Sequence, residues 1–474
     1  MRPGSRQLVV SLIVACAMFM QNLDSTIIAT ALPAIGASLG ENPLSLNVAI
    51  TCYLLSLAVF IPISGWTADR FGARRVFTGA IIVFTLGSIA CGFAQSLWML
   101  VLARIVQGMG GAMMVPVGRL VLLRTVPKSE LVRAMSYVSV PALIGPVIGP
   151  PLGGLIVTYA SWHWIFFINI PIGMIGVLLV NLFVENMREA TVRPFDLPGF
   201  ALTAVGSASL AFGFETIGRG ALPMLANFGL LAGGALCLIL YVRHARRVDY
   251  PIIDLALMRI PTYAMATTGG FLFRMGLGAL PFLMPLMLQV GFGLDALSSG
   301  LITFASAAGA MSNKAVVAPI IRAFGFRNVL IANTVISSAF LFGYSFFQPR
   351  TPHYVIFLAL LAGGFFRSLQ MTSINTLSYA DVPPRMLSRA TSLTSMAQQL
   401  SQSVGVGTGA LILYLMLATH GTAQAIEVSS AADFSFALAM VAGISLLSVP
   451  FFLRMSPDAG AEVSGRAAPR VSAD

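Results

Sequence analysis

Residues 64–76 read SGWTADRFGARRV, one aspartate and three arginines set beside two glycines, between two long apolar runs. Elsewhere the 474-residue chain is nearly free of charge: 57% of it is hydrophobic, 9% is charged, and its mean hydropathy is +0.87. Soluble domains carry roughly 25% charged residues. A chain with so few cannot cover itself with polar surface, so it reads as an integral membrane protein. The charges at 64–76 must then sit at a membrane surface, and their sign says which one.

A hydrocarbon core about 30 Å thick requires roughly 20 apolar residues per helix. Fourteen runs of that order occur, at 8–31, 46–66, 76–95, 98–123, 133–158, 163–184, 198–217, 225–242, 262–289, 296–320, 328–347, 354–377, 390–417 and 434–453. The seventh and eighth are the least regular, because 196–224 is glycine-rich and broken by Glu215 and Arg219. Lys and Arg accumulate on cytoplasmic loops. With both termini inside, Arg70, Arg74 and Arg75 fall on the cytoplasmic side, as do Arg124, Lys128, Arg243, Arg246, Arg247, Arg385 and Arg389, with Arg119 near it. Only Arg219 and Arg350 fall outside, while Arg104, Arg274, Lys314 and Arg367 lie within spans. The expected location is a bacterial-type inner (plasma) membrane with both termini cytoplasmic. The formal charge of +11 is then topological, and no nucleic-acid partner is expected. The first run keeps Asp24 and lacks a small-residue cleavage site, so it reads as a retained helix. Cys16, Cys52, Cys91 and Cys237 lie in apolar runs without CxxC spacing and read as small core residues.

FGARRV at 71–76 recurs as FGFRNV at 324–329, each opening the third helix of a six-helix set. This divides the chain into an N-terminal bundle (1–190), two inserted helices (191–243), a cytoplasmic linker (244–261), a C-terminal bundle (262–455) and a tail expected to be disordered (456–474). Transporters are commonly built from duplicated halves with a site between them. No GxxxxGK cradles a nucleotide, no HExxH binds zinc, and the four histidines are scattered at 163, 244, 353 and 420. No metal, cofactor or enzymatic activity is expected; an ion gradient is the remaining energy source.

These residues resemble the major facilitator superfamily, specifically its fourteen-helix drug:proton antiporter branch (EmrB/QacA type). The resemblance is carried by LDSTIIATALP at 23–33, SGWTADRFGARRV, LVLARIVQGMGGAMMVP at 100–116, IGPVIGPPLGG at 144–154 and SWHWIFFINIPIG at 161–173. It implies an all-α membrane protein of major-facilitator type, two six-helix bundles with two inserted helices and fourteen transmembrane spans. It further implies export of small amphipathic molecules in exchange for protons by alternating access. Such a protein is expected to work as a monomer, with a periplasmic adaptor as an optional partner. In the resemblance Arg104 takes part in proton transfer, and Gly145, Pro146, Gly149, Pro150 and Gly153 form the antiporter helix. Gly65, Asp69, Arg70, Gly72, Arg74 and Arg75 form the gating loop, with Asp69 facing the helix start near Ser388. Where the family often has Asn, this chain has Ala29.

Asp24 is the one acid deep inside a regular span. Burying an ionised carboxylate costs several kcal/mol, so an intramembrane acid usually serves function. It reads as the proton carrier, or else as a structural group bonded to Ser25 or Thr26, or as an acid near enough to the outer end to remain hydrated. Arg104 reads as its partner or as a base satisfying backbone carbonyls, and Gln107, one turn on, as a partner or substrate contact. Arg274 and Arg367 are expected to line the cavity, making it more positive than negative and favouring anionic, zwitterionic or neutral amphipathic compounds. Lys314 reads as a snorkelling base. Gln398 and Gln402 either line the substrate path or bond between helices.

Overall fold

In hydrocarbon no water satisfies backbone N–H and C=O groups, so a spanning chain must form helices or a closed barrel. The computed structural model describes residues 3–41, 46–186, 194–217, 222–419 and 430–464, and among these the regular structure is helical. The first half comprises α1 (Pro3–Leu39), α2 (Asn47–Phe60), α3 (Ser64–Phe71), α4 (Ala73–Gly92), α5 (Leu97–Thr125), α6 (Leu131–Tyr159), α7 (Trp164–Phe167) and α8 (Asn169–Phe183). Then come α9 (Leu197–Ile217) and α10 (Met224–Ala245). The second half holds α11 (Pro261–Gly278), α12 (Leu280–Leu286), α13 (Ala296–Ser312), α14 (Val317–Gly343), α15 (His353–Leu377), α16 (Leu387–Thr419), α17 (Ala431–Leu446) and α18 (Val449–Leu453), with a last turn α19 (Ala461–Ser464).

Helices occupy every one of the stretches expected to span. Among the described residues, 11 are long and apolar enough to cross a membrane, and α6, α13 and α16 are not in that set. α13 has only 17 residues, and α16 opens on a Ser- and Gln-rich stretch. Large apolar side chains face outward around the bundle, and Trp98, Tyr159 and Trp164 are exposed at the start of α5, the end of α6 and the start of α7. These three sit at one end of the molecule, as an aromatic belt at a membrane interface does.

The repeated hexapeptide proves to be a repeated backbone event. Gly72 has φ 91° and ψ 138° between α3 and α4, and Gly325 has φ 76° and ψ 160° at a kink inside α14. Both conformations are open essentially to glycine alone. A Cβ at Gly72 would also collide with the Asn186 side chain. Gly72→Ala is therefore expected to destabilise the protein by about 1–3 kcal/mol, whereas Gly79→Ala, with open space at its Cβ, should be neutral. Thermal melting in detergent of the two variants checks the contrast.

The inserted pair is not a detached appendage. α9 packs on α10 and also touches α2 of the first half and α16 of the second. Glu215 sits in the last turn of α9, half-buried, and accepts from Thr51 Oγ1 at 3.1 Å; Arg219 lies outside the described residues. Of the tail expected to be disordered, 456–464 is ordered: Val463 is buried, and Gly460 packs against Phe326 and Leu377. The apolar residues Ala459 and Val463 anchor it where composition alone suggested a polar tail. The exposed Lys128 donates to Glu462 at 2.8 Å and holds that carboxyl below the usual carboxylate range.

Candidate functional site

Asp24 lies within α1, 1% exposed, where three side chains converge on it. Arg104 Nη1 of α5 donates to Oδ2 at 2.6 Å, while Gln107 Nε2 at 2.7 Å and Asn169 Nδ2 of α8 at 3.1 Å donate to Oδ1. Arg104 Nη1 also reaches Gln107 Oε1 at 2.7 Å, a pairing that the three-residue helical spacing brings onto one face. Asn169 donates in addition to Ser88 Oγ at 2.9 Å, and Ser88 donates to the Phe166 carbonyl at 2.9 Å. The Arg104 guanidinium stacks 4.2 Å from the centre of the Tyr53 ring, a cation–π contact worth more when desolvated. Arg104 and Gln107 are both fully buried. Arg104 Nε and Nη2 and the Tyr53 hydroxyl are buried without a protein partner.

Small residues make this convergence possible. A Cβ at Gly110 would lie 2.5 Å from the Phe84 amide nitrogen, and one at Gly87 would lie 2.6 Å from Gln107 Cα. Only bare backbones let α4 press so closely on α5 and fix Gln107. The opposite wall is the antiporter helix. Gly145 faces Leu23 N, at 2.9 Å for a built Cβ, while Gly149 and Gly153 sit against Thr26 and Thr30. α6 thus backs the turn of α1 that carries Asp24; the side chains of Pro146 and Pro150 lie outside the described residues.

Ser25 and Thr26 do not serve Asp24. Their hydroxyls donate to the Asn22 carbonyl at 2.8 Å and 3.0 Å, the usual back-bonding of such residues in helices. Arg104 likewise takes side chains, not carbonyls. The expected charge set is rearranged in the second half. Arg274 Nη2 donates to Asn375 Oδ1 at 2.9 Å, and Gln398 Nε2 to the same oxygen at 2.7 Å. Gln402 is exposed. Arg367 stands apart, about 12 Å along α15 from Asn375 at 1.5 Å rise per residue, in a crevice with Ser306, Ser337, Tyr344 and Gly363. Lys314 donates to Thr372 Oγ1 at 2.9 Å from a short 3-10 turn, so it bonds inward and does not snorkel.

The two halves meet where SGWTADRF faces the start of α16. Ser388 Oγ donates to Asp69 Oδ2 at 2.7 Å, and Ser64 Oγ lies 2.8 Å from Ser392 Oγ. A Cβ at Gly65 would lie 2.7 Å from both the Ser388 carbonyl oxygen and Ser392 Oγ. Arg124 of α5 approaches Asp69 Oδ1 at 3.5 Å. Arg70 and Arg75 are exposed, with Arg70 5.3 Å from the centre of the Trp66 ring, and Arg74 is half-buried.

Three likenesses to known proteins bear on what this arrangement is. The Major Facilitator Superfamily pattern matches residues 14–406, with a second match at 268–471. The chain belongs to the major facilitator superfamily. Relatives provisionally named multidrug resistance protein MdtD are 42% identical to this facilitator. One from Salmonella heidelberg aligns over 86% of this chain and 87% of its own length, and one from Shigella sonnei over 91% and 93%. Its fold is shared with the human organic anion transporter MFSD10 at TM-score 0.67 and 14% identity, covering 94% of this chain and 99% of that one. The proton:xylose symporter XylE matches at TM-score 0.66 and 13% identity, covering 98% and 99%.

Among the facilitator's polar core residues, sequence reading missed Asn169, Ser88 and Tyr53. Asn169 lies inside the quoted stretch SWHWIFFINIPIG, and an amide in so apolar a run is a signal in its own right. It gives Asp24 a second amide neighbour, beside Gln107, in a chain with Ala29. Arg119, expected on or near the cytoplasmic side, is 7% exposed within α5.

Proposed function

We propose that this facilitator is a proton-coupled exporter of small amphipathic molecules, with Asp24 as proton carrier. The observation that carries the reading is a carboxylate sealed in a protein core against one guanidinium and two amides, each on a different helix or turn. Such a pair can exchange its proton only when helices α1 and α5 shift, which ties protonation to the bundle movement of alternating access. Substrate arriving between the bundles alters the Asp24–Arg104 pairing and the proton leaves; the inward proton gradient resets it. The names of the MdtD relatives and the glycine seam of α6 behind Asp24 support export. The reading includes fourteen spans in an inner membrane with both termini cytoplasmic, function as a monomer, no catalytic activity and no cofactor beyond the proton gradient. A periplasmic adaptor is an optional partner.

The test uses purified protein in weakly buffered detergent with dyes that everted vesicles expressing it accumulate. Adding dye should release protons from the wild type and none from Asp24→Asn, which should still bind it. Proton release from the variant, or uphill transport without protons in the wild type, sinks the mechanism.

A further inference from the structure

The six spans of the second half contain no aspartate or glutamate, yet three bases lie inside them: Arg274, Lys314 and Arg367. Arg274 donates to Asn375 and Lys314 to Thr372. The half-buried Arg367 guanidinium makes no hydrogen bond among the described residues. It lines a crevice between α13, α14 and α15 together with Ser306, Ser337 and Tyr344, and leucines of α11, α12 and α14 form the apolar wall. The hydroxyl of Ser337, a residue 3% exposed, is buried there without a protein partner. Ser306 Oγ likewise has no hydrogen bond among the described residues, whereas the Tyr344 hydroxyl is committed to the Ala359 carbonyl at 3.2 Å.

Bare backbone fixes the walls of this crevice. A Cβ at Gly364 would strike the Ser306 carbonyl, one at Gly309 the Leu361 carbonyl, and one at Gly363 the Tyr344 hydroxyl. Close approach at such glycines locks α13 against α15, so the backbones that carry Ser306 and Arg367 keep their separation. One positive charge and two spare hydroxyl donors, each from a different helix, therefore share a crevice in a bundle half whose spans hold no carboxylate. A charge withdrawn from water needs a counter-charge. The free volume is about 10 Å³, room for about one water-sized body and too little for an acid group carried on an organic molecule.

We infer that this crevice binds one monatomic halide, with the Arg367 guanidinium as its counter-charge and the Ser337 and Ser306 hydroxyls donating to it. The ion gives α13, α14 and α15 a common acceptor and neutralises the embedded base that has no hydrogen-bond partner among the described residues. The site lies in the half opposite Asp24, and it does not depend on the export reading.

The experiment uses full-length purified protein in neutral detergent, with sodium chloride exchanged for sodium gluconate at constant ionic strength so that screening stays the same. Chloride binding is read as excess ³⁵Cl line width and as a rise in melting temperature. The wild type is expected to show a rise that saturates with chloride. Arg367→Gln should need at least about tenfold more chloride for half of that rise, the size of one lost charge-assisted hydrogen bond, and Ser337→Ala about 2–10-fold more. In gluconate Arg367→Gln should melt no lower than the wild type, because it removes a charge that lacks a counter-charge. No saturable chloride response in the wild type, or a response unchanged in both variants, overturns the assignment. Should Arg367→Gln fail to fold, Ser337→Ala decides alone, and an unchanged chloride requirement in it overturns the assignment. Proton release on adding dye is measured separately, so loss of the chloride response leaves the coupling reading standing, and the reverse holds too.

Discussion

Arg104→Ala is expected to abolish coupled transport, lowering uphill dye export in everted vesicles by at least about 100-fold. The reason is the cost of an unpaired charge. Breaking a buried ion pair from one side costs about 3–5 kcal/mol, because the remaining ion stays desolvated without its partner. Proton coupling requires both forms of Asp24 to be accessible, and without Arg104 the charged form carries that penalty. Arg104→Lys is a sharper probe. A single ammonium on a flexible stem cannot meet Asp24 Oδ2 and Gln107 Oε1 at 2.6 Å and 2.7 Å while laying a planar cation on Tyr53. It should retain measurable but reduced export. The double variant Asp24→Asn with Arg104→Ala should melt closer to the wild type than Arg104→Ala alone, since contacting residues are not additive, yet it should not transport. Wild-type coupling in Arg104→Ala would remove the pair from the mechanism.

Much of this architecture was legible because a bilayer imposes one strong rule: long apolar stretches become helices, and arginines mark their ends. The halves were visible in one hexapeptide because a positive-φ turn demands glycine, and Gly72 and Gly325 both occupy it. Asp24 and Arg104 stood out because charge inside a span is rare. Neutral groups carried no such mark: Asn169, Ser88 and Tyr53 look like ordinary members of apolar runs until folding brings them to Asp24. The burial of Arg119, 7% exposed within α5, carried no mark either, because a place on or near the cytoplasmic side says nothing of what encloses a side chain. The ordered stretch 456–464 escaped notice because its anchors, Ala459 and Val463, are small or β-branched residues within a polar composition.

Gly65→Leu is expected to have the second large effect, through the seam between α3 and α16. Asp69 and Ser388 are the polar part of that seam, but losing one hydrogen bond costs only about 1 kcal/mol, and Asp69 keeps Arg124. Ser388→Ala should therefore slow export modestly. At Gly65 the obstacle is backbone: even a methyl group would sit 2.7 Å from the Ser388 carbonyl oxygen, which cannot turn aside as a side chain can. Overpacking of this kind costs about 1–3 kcal/mol. If the two halves part and rejoin here during each cycle, that cost falls on the joined state alone. A bias of this size shifts the equilibrium by about 5–150-fold. The variant should fold, populate the parted state, and lose most of its export. Distances between spin labels on the ends of α3 and α16 should lengthen in Gly65→Leu and stay near wild type in Ser388→Ala. Unchanged distances together with unchanged export in Gly65→Leu would show that this seam is a fixed contact and that the moving gate lies elsewhere.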